Sequence, residues 1–315
     1  MNGIIRIAIA CQGGGSHTAF TAGVLKRILE EKYEIVGLSG TSGGAICALL
    51  AWYGLLTNDR SKAIELLDSF WKDNSTRSPW EMFLNNWLLW LSRLRDVFTV
   101  PEVSPYFYPP SAQEYLKSLI EKHVEFEEVR SLVRPSSPML LIGAIDACSG
   151  KFKVFSSKDG EISADAILAS AAIPNLFRAV HIGGSVYWDG LFSQNPPVRD
   201  LPDVNPDEIW VIQINPERRE AEPKSVGEIL DRRNELAGNL SLSQELFFIE
   251  KINELVNKKF LAGSKYKYIK VRRIEMIHDL DYASKLDRSP SFIQDLIDHG
   301  EAQAEEFLNQ LHLSD

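Results

Sequence analysis

The chain has 315 residues, of which 44% are hydrophobic and 24% charged, a composition typical of a globular protein with a substantial core. Its formal net charge of −9 at pH 7 argues against nucleic acid as a partner, because phosphate binding needs a basic face. The same charge gives no general attraction to anionic lipid, so any membrane contact has to be apolar and local.

The first apolar run, residues 4–11, is predicted to be a buried strand. A signal peptide is not expected, since no basic region precedes the run and no small-residue cleavage site follows it. No stretch reaches the roughly 18 apolar residues that a membrane span needs. Cys11, Cys47 and Cys148 lie in apolar surroundings without metal-ligand spacing. We expect them to be reduced core residues of a cytoplasmic protein.

A glycine turn follows this first strand in the stretch QGGGSHTAF, and a helix is predicted over residues 17–31. Free N–H groups at a helix N-terminus favour a negative oxygen, so Gly13, Gly14 and Gly15 could hold a phosphate or an oxyanion. The stretch lacks the spacing and the Lys of a P-loop and does not match G-x-G-x-x-G, so neither nucleotide motif is supported. A triple glycine is also typical of a simple strand-to-helix turn.

The second strand is predicted over residues 34–39 and leads into GTSGG, which is followed by a helix predicted over residues 43–54. Gly40, Ser42 and Gly44 satisfy G-x-S-x-G, the elbow that lifts a serine hydroxyl off the edge of a sheet. The pattern alone is weak, because a chain of this length matches it by chance roughly one time in ten. In a doubly wound sheet the carboxyl ends of neighbouring strands meet, which would bring this elbow to the glycine turn.

An unusual segment, about residues 70–110, interrupts the alternation of strands and helices after the second helix. It carries four of the chain's seven tryptophans: Trp71, Trp80, Trp87 and Trp90. Trp and Phe recur in this segment at mixed three- and four-residue spacing, which favours core packing within a helical insertion. The alternative is a lid or interfacial helix beside Ser42. Its bilayer-facing residues would be Trp87, Leu88, Leu89 and Trp90, next to Arg93 and Arg95.

The second half of the chain continues the alternation. Two strands are predicted around the Ser149-Gly150 turn, followed by a small-residue helix that ends at Pro174. One strand each is predicted in AVHIGGSVYWDGL, EIWVIQINP and YKYIKVRRIEM. Long helices are predicted over about residues 226–259 and from Ser289 to Leu311, the second opened by a Ser289-Pro290 cap. The whole pattern predicts an α/β fold, with a mostly parallel sheet covered by helices.

Asp189 lies at the end of a predicted strand and is followed at once by Gly190. A serine nucleophile needs a base to take its proton, and this carboxylate could face the same sheet edge as Ser42. Taken by itself, however, Asp-Gly is more typical of a hairpin turn.

Together these motifs resemble the patatin-like phospholipase family, lipid acyl hydrolases with a Ser-Asp dyad in place of a triad. The family's glycine-rich motif is similar to residues 13–18, its elbow to residues 40–44 and its Asp-Gly motif to Asp189-Gly190. SAAIPNLF, residues 170–177, is similar to the block before the aspartate, and Asn195-Pro196 to the block after it.

The resemblance covers roughly residues 5–215 and implies a three-layer α/β/α fold with a central, mostly parallel sheet. We expect residues 1–315 to form a single domain of this kind. Within it, the Trp-rich helical insertion would occupy about residues 70–110 and a helical C-terminal part about residues 226–315.

The resemblance also implies a mechanism. Ser42 would attack an ester carbonyl, and Asp189 would take its proton and return it to the leaving alcohol. The oxyanion hole would be formed by Gly13, Gly14, Gly15 and Gly43. No metal or cofactor is required. A carboxylate is a poor base at its ordinary pKa, so Asp189 should need a shielded site.

The expected partners are a lipid or acyl-ester substrate, as for a phospholipase A or a lysophospholipase-like esterase. A peripheral membrane contact is added if the Trp-rich segment is interfacial. The lipid, its acyl position and any further substrate-binding residues are left open by the sequence.

Two departures from the family pattern stand out. His17 and Thr18 occupy positions where members usually carry Arg or Lys and then Gly, and Leu191 stands where they carry Gly or Ala. A basic residue at the first position would help to fix the oxyanion loop. His17 therefore leaves the details of the loop and its pH dependence open.

Three alternatives compete with the hydrolase. An acyltransferase could use the same dyad and pass the acyl group to an alcohol or thiol. A Ser-Asp-His triad of the α/β-hydrolase type is a second alternative, because His278 follows Ser42 and Asp189 in the chain order that this fold uses. The third is a catalytically silent lipid-binding module that keeps the scaffold.

Overall fold

The computed structural model describes residues 4–94, 103–174, 176–278, 280–281 and 283–313. Within these residues a central sheet carries helices on both faces. Its strands are β1 (Arg6–Cys11), β2 (Glu34–Gly40), β3 (Met139–Asp146), β4 (Phe152–Ser156), β5 (Val180–Ile182), β6 (Ser185–Asp189), β7 (Glu208–Gln213) and β8 (Lys270–Glu275). Its helices are α1 (Ala19–Leu29), α2 (Gly43–Leu56), α3 (Arg60–Asn74), α4 (Pro79–Leu94), α5 (Ser111–His123), α6 (Phe126–Leu132), α7 (Ala164–Ser170), α8 (Val226–Asn257) and α9 (Pro290–His312).

The strands follow the order β5-β6-β3-β2-β1-β7-β8, and β4 also pairs with β3. The run β3-β2-β1-β7-β8 is parallel, whereas β4, β5 and β6 join through antiparallel pairs. β1 is buried on both faces, as a strand inside a parallel sheet must be. Its Ile7 and Ile9 belong to the larger core and its Ala8 and Ala10 to the smaller one. The expected three-layer, mostly parallel α/β fold is confirmed.

The larger core lies between the sheet and a helical layer that includes α1, α2 and α9. The smaller core lies under α8 on the opposite face. α1 and α9 pack closely because each presents a glycine to the other. A Cβ at Gly23 would lie 2.0 Å from the carbonyl oxygen of Ile297, and one at Gly300 would lie 2.1 Å from that of Phe20.

Three predicted elements differ from the structure. AVHIGGSVYWDGL forms a hairpin of two strands, β5 and β6, because Gly183 and Gly184 both adopt positive φ and turn the chain between them. The helix predicted over residues 17–31 begins instead with a 3-10 turn at Gly15–Thr18, followed by α1. The small-residue helix α7 ends at Ser170, short of Pro174.

The cysteines and tryptophans also depart from the predictions in part. Cys11 and Cys47 are buried, but Cys148 is exposed in the turn after β3. Trp71 packs in the core as predicted. The prediction of core packing is wrong for the other three tryptophans of the segment. Their exposed surface fractions are 66% for Trp80, 47% for Trp87 and 50% for Trp90. Arg95 and the side chains of Leu88 and Arg93 lie outside what the structure describes.

Within the described ranges, no helix combines the length and the apolar character that a bilayer crossing demands.

Candidate active site

The glycine turn and the serine elbow meet at one edge of the sheet. β1 and β2 run parallel, and the last residues of the two strands, Cys11 and Gly40, are partners in register. A Cβ at Gly13 would lie 2.8 Å from the Cβ of Ser42 and 2.5 Å from the carbonyl oxygen of Thr41. Only glycine therefore permits the loop after β1 to touch the elbow after β2.

Ser42 occupies a strained elbow between β2 and α2. Its φ of 56° and ψ of −131° are unusual for a residue with a side chain. The backbone N–H of Ser42 donates to Ser170, with 3.1 Å to the carbonyl oxygen and 3.0 Å to Oγ. Glycine is needed on both sides, because a Cβ at Gly40 would lie 2.5 Å from the carbonyl oxygen of Gly44, and one at Gly44 would lie 2.3 Å from that of Cys11. The geometry is that of a nucleophile elbow.

Asp189 ends β6, which antiparallel pairing with β3 brings to the same place. The residue is fully buried. Its Oδ1 accepts a hydrogen bond from the N–H of Leu191 at 2.8 Å, and its Oδ2 has no hydrogen-bond partner among the described residues. The hairpin interpretation of Asp189-Gly190 is wrong, because the chain continues from β6 into a 3-10 turn.

Burial raises the pKa of Asp189 to about 7, because a charged carboxylate is poorly solvated there. The neighbouring Ser42 hydroxyl and the Leu191 N–H act in the opposite direction, since both favour the ionised form. Ser42 is therefore close enough to influence the carboxyl, although no hydrogen bond of full geometry joins the two groups. Such contacts are often loose until a substrate is bound.

Two loops supply unoccupied backbone donors around Ser42. The N–H groups of Gly14, Gly15 and Gly43 donate to no other described residue. Gly43 is also the first residue of α2, where the helix dipole favours a negative oxygen. Gly13 differs, because its N–H donates to Oδ1 of Asn195 at 2.7 Å. The expectation that Gly13 is an oxyanion donor is corrected: its hydrogen bond instead fixes the loop.

The His17 side chain is buried and neutral. Its Nε2 lies 2.8 Å from Oγ of Ser284, which donates its own hydrogen to the carbonyl oxygen of Asp281 at 2.5 Å. Nε2 must therefore carry the proton that Oγ accepts. Burial, followed by the charge of Lys285, lowers the pKa of His17 to about 3. This ring does not titrate near neutral pH, which answers the question that the sequence left open.

Lys285 brings a positive charge to the loop from a distant part of the chain. A Cβ at Gly15 would lie 2.5 Å from the carbonyl oxygen of Lys285, so the two backbones touch. The Lys285 Nζ lies 3.2 Å from Oδ1 of Asn215. Sequence spacing gave no sign of Ser284 or Lys285, because both reach the loop from the turn before α9.

The described histidines lie apart from Ser42 and Asp189. No described histidine forms a hydrogen bond with Ser42 or Asp189. The exposed His278 instead packs its ring against that of His299, with 4.0 Å between the centroids.

A groove of about 1410 Å³ opens beside the site. Leu191 and Phe192, which follow the aspartate, form part of its wall, and Ile173 and Pro174 form another part. Apolar wall residues that follow Asp189 in the chain suit an acyl chain. Charged residues also line the groove, among them the acidic Glu217, Glu220, Glu222, Glu228, Asp231, Glu275 and Asp281 and the basic Arg218, Arg219 and Arg233.

Comparison with solved structures finds similar folds. VipD from Legionella pneumophila is 11% identical, and the alignment covers 98% of this chain and 67% of VipD with a TM-score of 0.48. The type III effector protein ExoU is 15% identical, with coverage of 96% of this chain and 53% of ExoU and a TM-score of 0.42. A comparison with curated proteins finds no match.

The model of one protein family matches residues 9–202, well over half of the chain, and its description is patatin-like phospholipase. The matched range contains the glycine turn, the elbow and Asp189. The chain therefore belongs to the patatin-like phospholipase family, a family of lipid hydrolases.

Proposed function

We propose that this protein is a lipid acyl hydrolase that cleaves carboxylic esters through a Ser42 acyl-enzyme, with Asp189 as the base. One observation carries the proposal above all. A buried carboxyl group with an unpartnered Oδ2 adjoins the hydroxyl of an elbow serine, and its pKa of about 7 suits proton transfer near neutral pH.

In the first half-reaction, Oγ of Ser42 forms a bond to the ester carbonyl carbon while its proton passes to the Asp189 carboxylate. The carbonyl oxygen becomes an oxyanion, which the N–H groups of Gly14, Gly15 and Gly43 hold. The bond to the leaving alcohol then breaks, and Asp189 gives the alcohol its proton. The acyl group remains on Ser42.

In the second half-reaction, water attacks the acyl-enzyme carbonyl and gives its proton to Asp189. The tetrahedral intermediate collapses by breaking the bond to Oγ, and the proton returns to Ser42. Water must therefore reach the acyl group after the alcohol has left. An alcohol acceptor in place of water would make the same dyad an acyltransferase.

The groove supports a lipid with an acyl chain, as for a phospholipase A or a lysophospholipase-like esterase. Its apolar walls lie next to Asp189 in the chain, so an acyl chain in the groove would place its ester near Ser42. For the location, we propose the reducing cytoplasm, in agreement with the buried free thiols of Cys11 and Cys47.

The test is a profile of the products that purified protein releases from mixed phospholipids, lysophospholipids and glycerides. We expect free fatty acid from the wild type and none from Ser42→Ala. Ser39→Ala is the matched control. It removes a buried hydroxyl that has no hydrogen-bond partner in the described structure, three residues upstream on β2, and should keep full activity.

Three results would contradict this proposal. Fatty acid release by Ser42→Ala at the wild-type rate would exclude the serine. Acyl transfer to an added alcohol, with little free acid even when the alcohol is scarce, would favour the transferase. A wild type without either activity, but with specific lipid binding, would favour the silent module.

His278→Ala should keep the turnover of a small soluble ester within about threefold of the wild-type rate, because the exposed ring contacts His299 and neither member of the dyad. The measurement is kcat for a p-nitrophenyl ester at pH 8. A loss of about a thousandfold, the usual scale for a triad member, would instead support the α/β-hydrolase alternative.

A further inference from the structure

Four aromatic side chains form a continuous ladder along one side of α4. The ring centroids of Trp80 and Phe83 lie 5.5 Å apart, those of Phe83 and Trp87 6.5 Å and those of Trp87 and Trp90 5.1 Å. The spacing of three, four and three residues keeps the rings on one helical face. We call these four residues the aromatic ridge.

The ridge faces outward because the opposite side of α4 is anchored. The Asn85 Nδ2 donates to Oδ1 of Asp287 at 3.0 Å, and the Asn85 Oδ1 accepts from the N–H of Arg288 at 3.0 Å. Asn85 and Leu89 are buried. All four rings of the ridge are substantially exposed, so nothing in the described structure covers them. Exposed apolar surface of this extent is typical of an interaction site.

The helix that carries the ridge is anchored next to the wall of the groove. The turn that anchors α4 also supplies Ala283 and Leu286 to the groove wall. Further exposed aromatic residues follow α4 in the chain, and the hydroxyl of one of them, Tyr108, donates to the carbonyl oxygen of Leu176, another wall residue, at 3.2 Å. A lipid surface against the ridge would therefore lie next to the entrance for an acyl chain.

Charge and side-chain chemistry indicate the kind of surface. Residues 79–90 contain a single charged residue, Glu81, and the nearest cations in the sequence, Arg77 and Arg93, lie beyond the two ends of the ridge. The rings themselves therefore offer an apolar contact and no charge. The charged residues of the groove wall are mainly acidic, and the whole chain has a net charge of −9. Tryptophan favours the boundary between water and hydrocarbon, where its ring is buried and its N–H stays hydrated.

We propose that the aromatic ridge docks the protein on the surface of a neutral or zwitterionic lipid layer, which delivers substrate to the groove. This inference rests on the proposed lipid hydrolase function, because it supplies the reason for a lipid surface at this entrance. Docking is apolar and local, and it scales with the area of the rings that enter the interface.

The binding test uses phosphatidylcholine vesicles and the Ser42→Ala protein, so that no turnover disturbs the equilibrium. Adding Trp87→Gln and Trp90→Gln should weaken vesicle binding about tenfold or more, because two large rings no longer enter the interface. Glutamine is a good helix former, so α4 should persist. The matched control, Phe247→Gln with Phe248→Gln, removes two exposed rings of α8 and should bind as the parent does.

A second experiment tests the docking proposal separately from the proposed hydrolase function. The ridge variant with Ser42 intact should turn over a short soluble ester at the wild-type rate and hydrolyse vesicle lipid about tenfold more slowly. A wild type inactive on both substrates contradicts the hydrolase, while vesicle binding by Ser42→Ala still tests the ridge by itself. A thermal melt checks that each variant is folded.

Several outcomes would overturn the ridge proposal. The first is a ridge variant that binds vesicles within twofold of the parent. The second is an α8 control that loses as much vesicle binding as the ridge variant. The third is a parent protein whose binding requires anionic lipid and disappears in high salt. A ridge variant that changes from dimer to monomer in sedimentation, with vesicle binding unchanged, would assign the face to a second copy of the chain.

Discussion

Asp189→Asn should lower the kcat for a soluble p-nitrophenyl ester at pH 8 by about a thousandfold or more, because asparagine cannot accept the proton of Ser42. The amide matches the carboxyl in shape and keeps an oxygen for the Leu191 N–H, so the fold should be retained. Ser42→Ala should cause a loss of the same order. The two residues act as one unit, so the double variant should be no slower than the worse single variant.

Asp200→Asn is the matched control for this experiment, because it makes the same chemical change at a partly exposed carboxylate that pairs with Arg199. It should leave kcat unchanged. An Asp189→Asn enzyme with a near-normal rate would remove the aspartate from the mechanism. Losses that multiply in the double variant would mean that the two residues act independently and would contradict the dyad.

Two features could be expected from the sequence because both follow from local patterns: β1 and β2 lie side by side, and Ser42 and Asp189 come to the same edge of the sheet. Glycine is required at Gly13, Gly43 and Gly44, where the backbones that follow β1 and β2 touch. Alternation of apolar runs with helical patterns predicts the parallel sheet. These signals lie within short stretches of chain, so a single sequence contains them.

The contacts that hold the oxyanion loop could not be predicted, because they join residues far apart in the chain. Asn195 bonds to Gly13 across 182 residues, and Ser284 bonds to His17 across 267. Neither contact leaves a spacing pattern. The resemblance at Asn195-Pro196 singled out Asn195 but gave it no role. In the structure, the Asn195 Oδ1 accepts the hydrogen bond of the Gly13 N–H.

The hairpin of β5 and β6 and the exposure of three tryptophans differ from the preferred interpretations for another reason, although an interfacial helix was the alternative for the tryptophans. Gly183-Gly184 lies inside an apolar run, so its turn was hidden in a stretch that looked like one strand. The tryptophans have the period of a buried helical face, and period alone does not distinguish a face against a core from a face toward solvent. Burial depends on what packs against the helix, which only the tertiary structure decides.

The acid limb of the pH profile and the stability of the protein should both report on Asp189. The carboxyl must be ionised to act as a base, so kcat/KM should rise with pH through a midpoint near 7. His17 should not contribute to this limb, because its pKa is about 3 and the ring stays neutral above that value.

The Asp189 carboxyl should make stability fall as pH rises, whereas it should make activity rise. Between about pH 4 and pH 7 the unfolded chain has released the Asp189 proton while the folded protein still holds it, so the folded state binds more protons and the free energy of unfolding falls as pH rises. Above pH 7 both states are ionised and this dependence ends.

Asp189→Asn should remove this dependence, because asparagine does not titrate. The measurement is the free energy of unfolding in urea for both proteins at pH 5 and pH 8. From pH 5 to pH 8, the free energy of unfolding of the variant should rise relative to that of the wild type by roughly 2 to 3 kcal/mol. Other titrating groups are shared by the two proteins and cancel in the difference. A difference that stays flat between the two pH values would mean that the carboxyl is not shielded in the folded protein. That result would remove the physical basis for an aspartate base, whatever the activity of the variant.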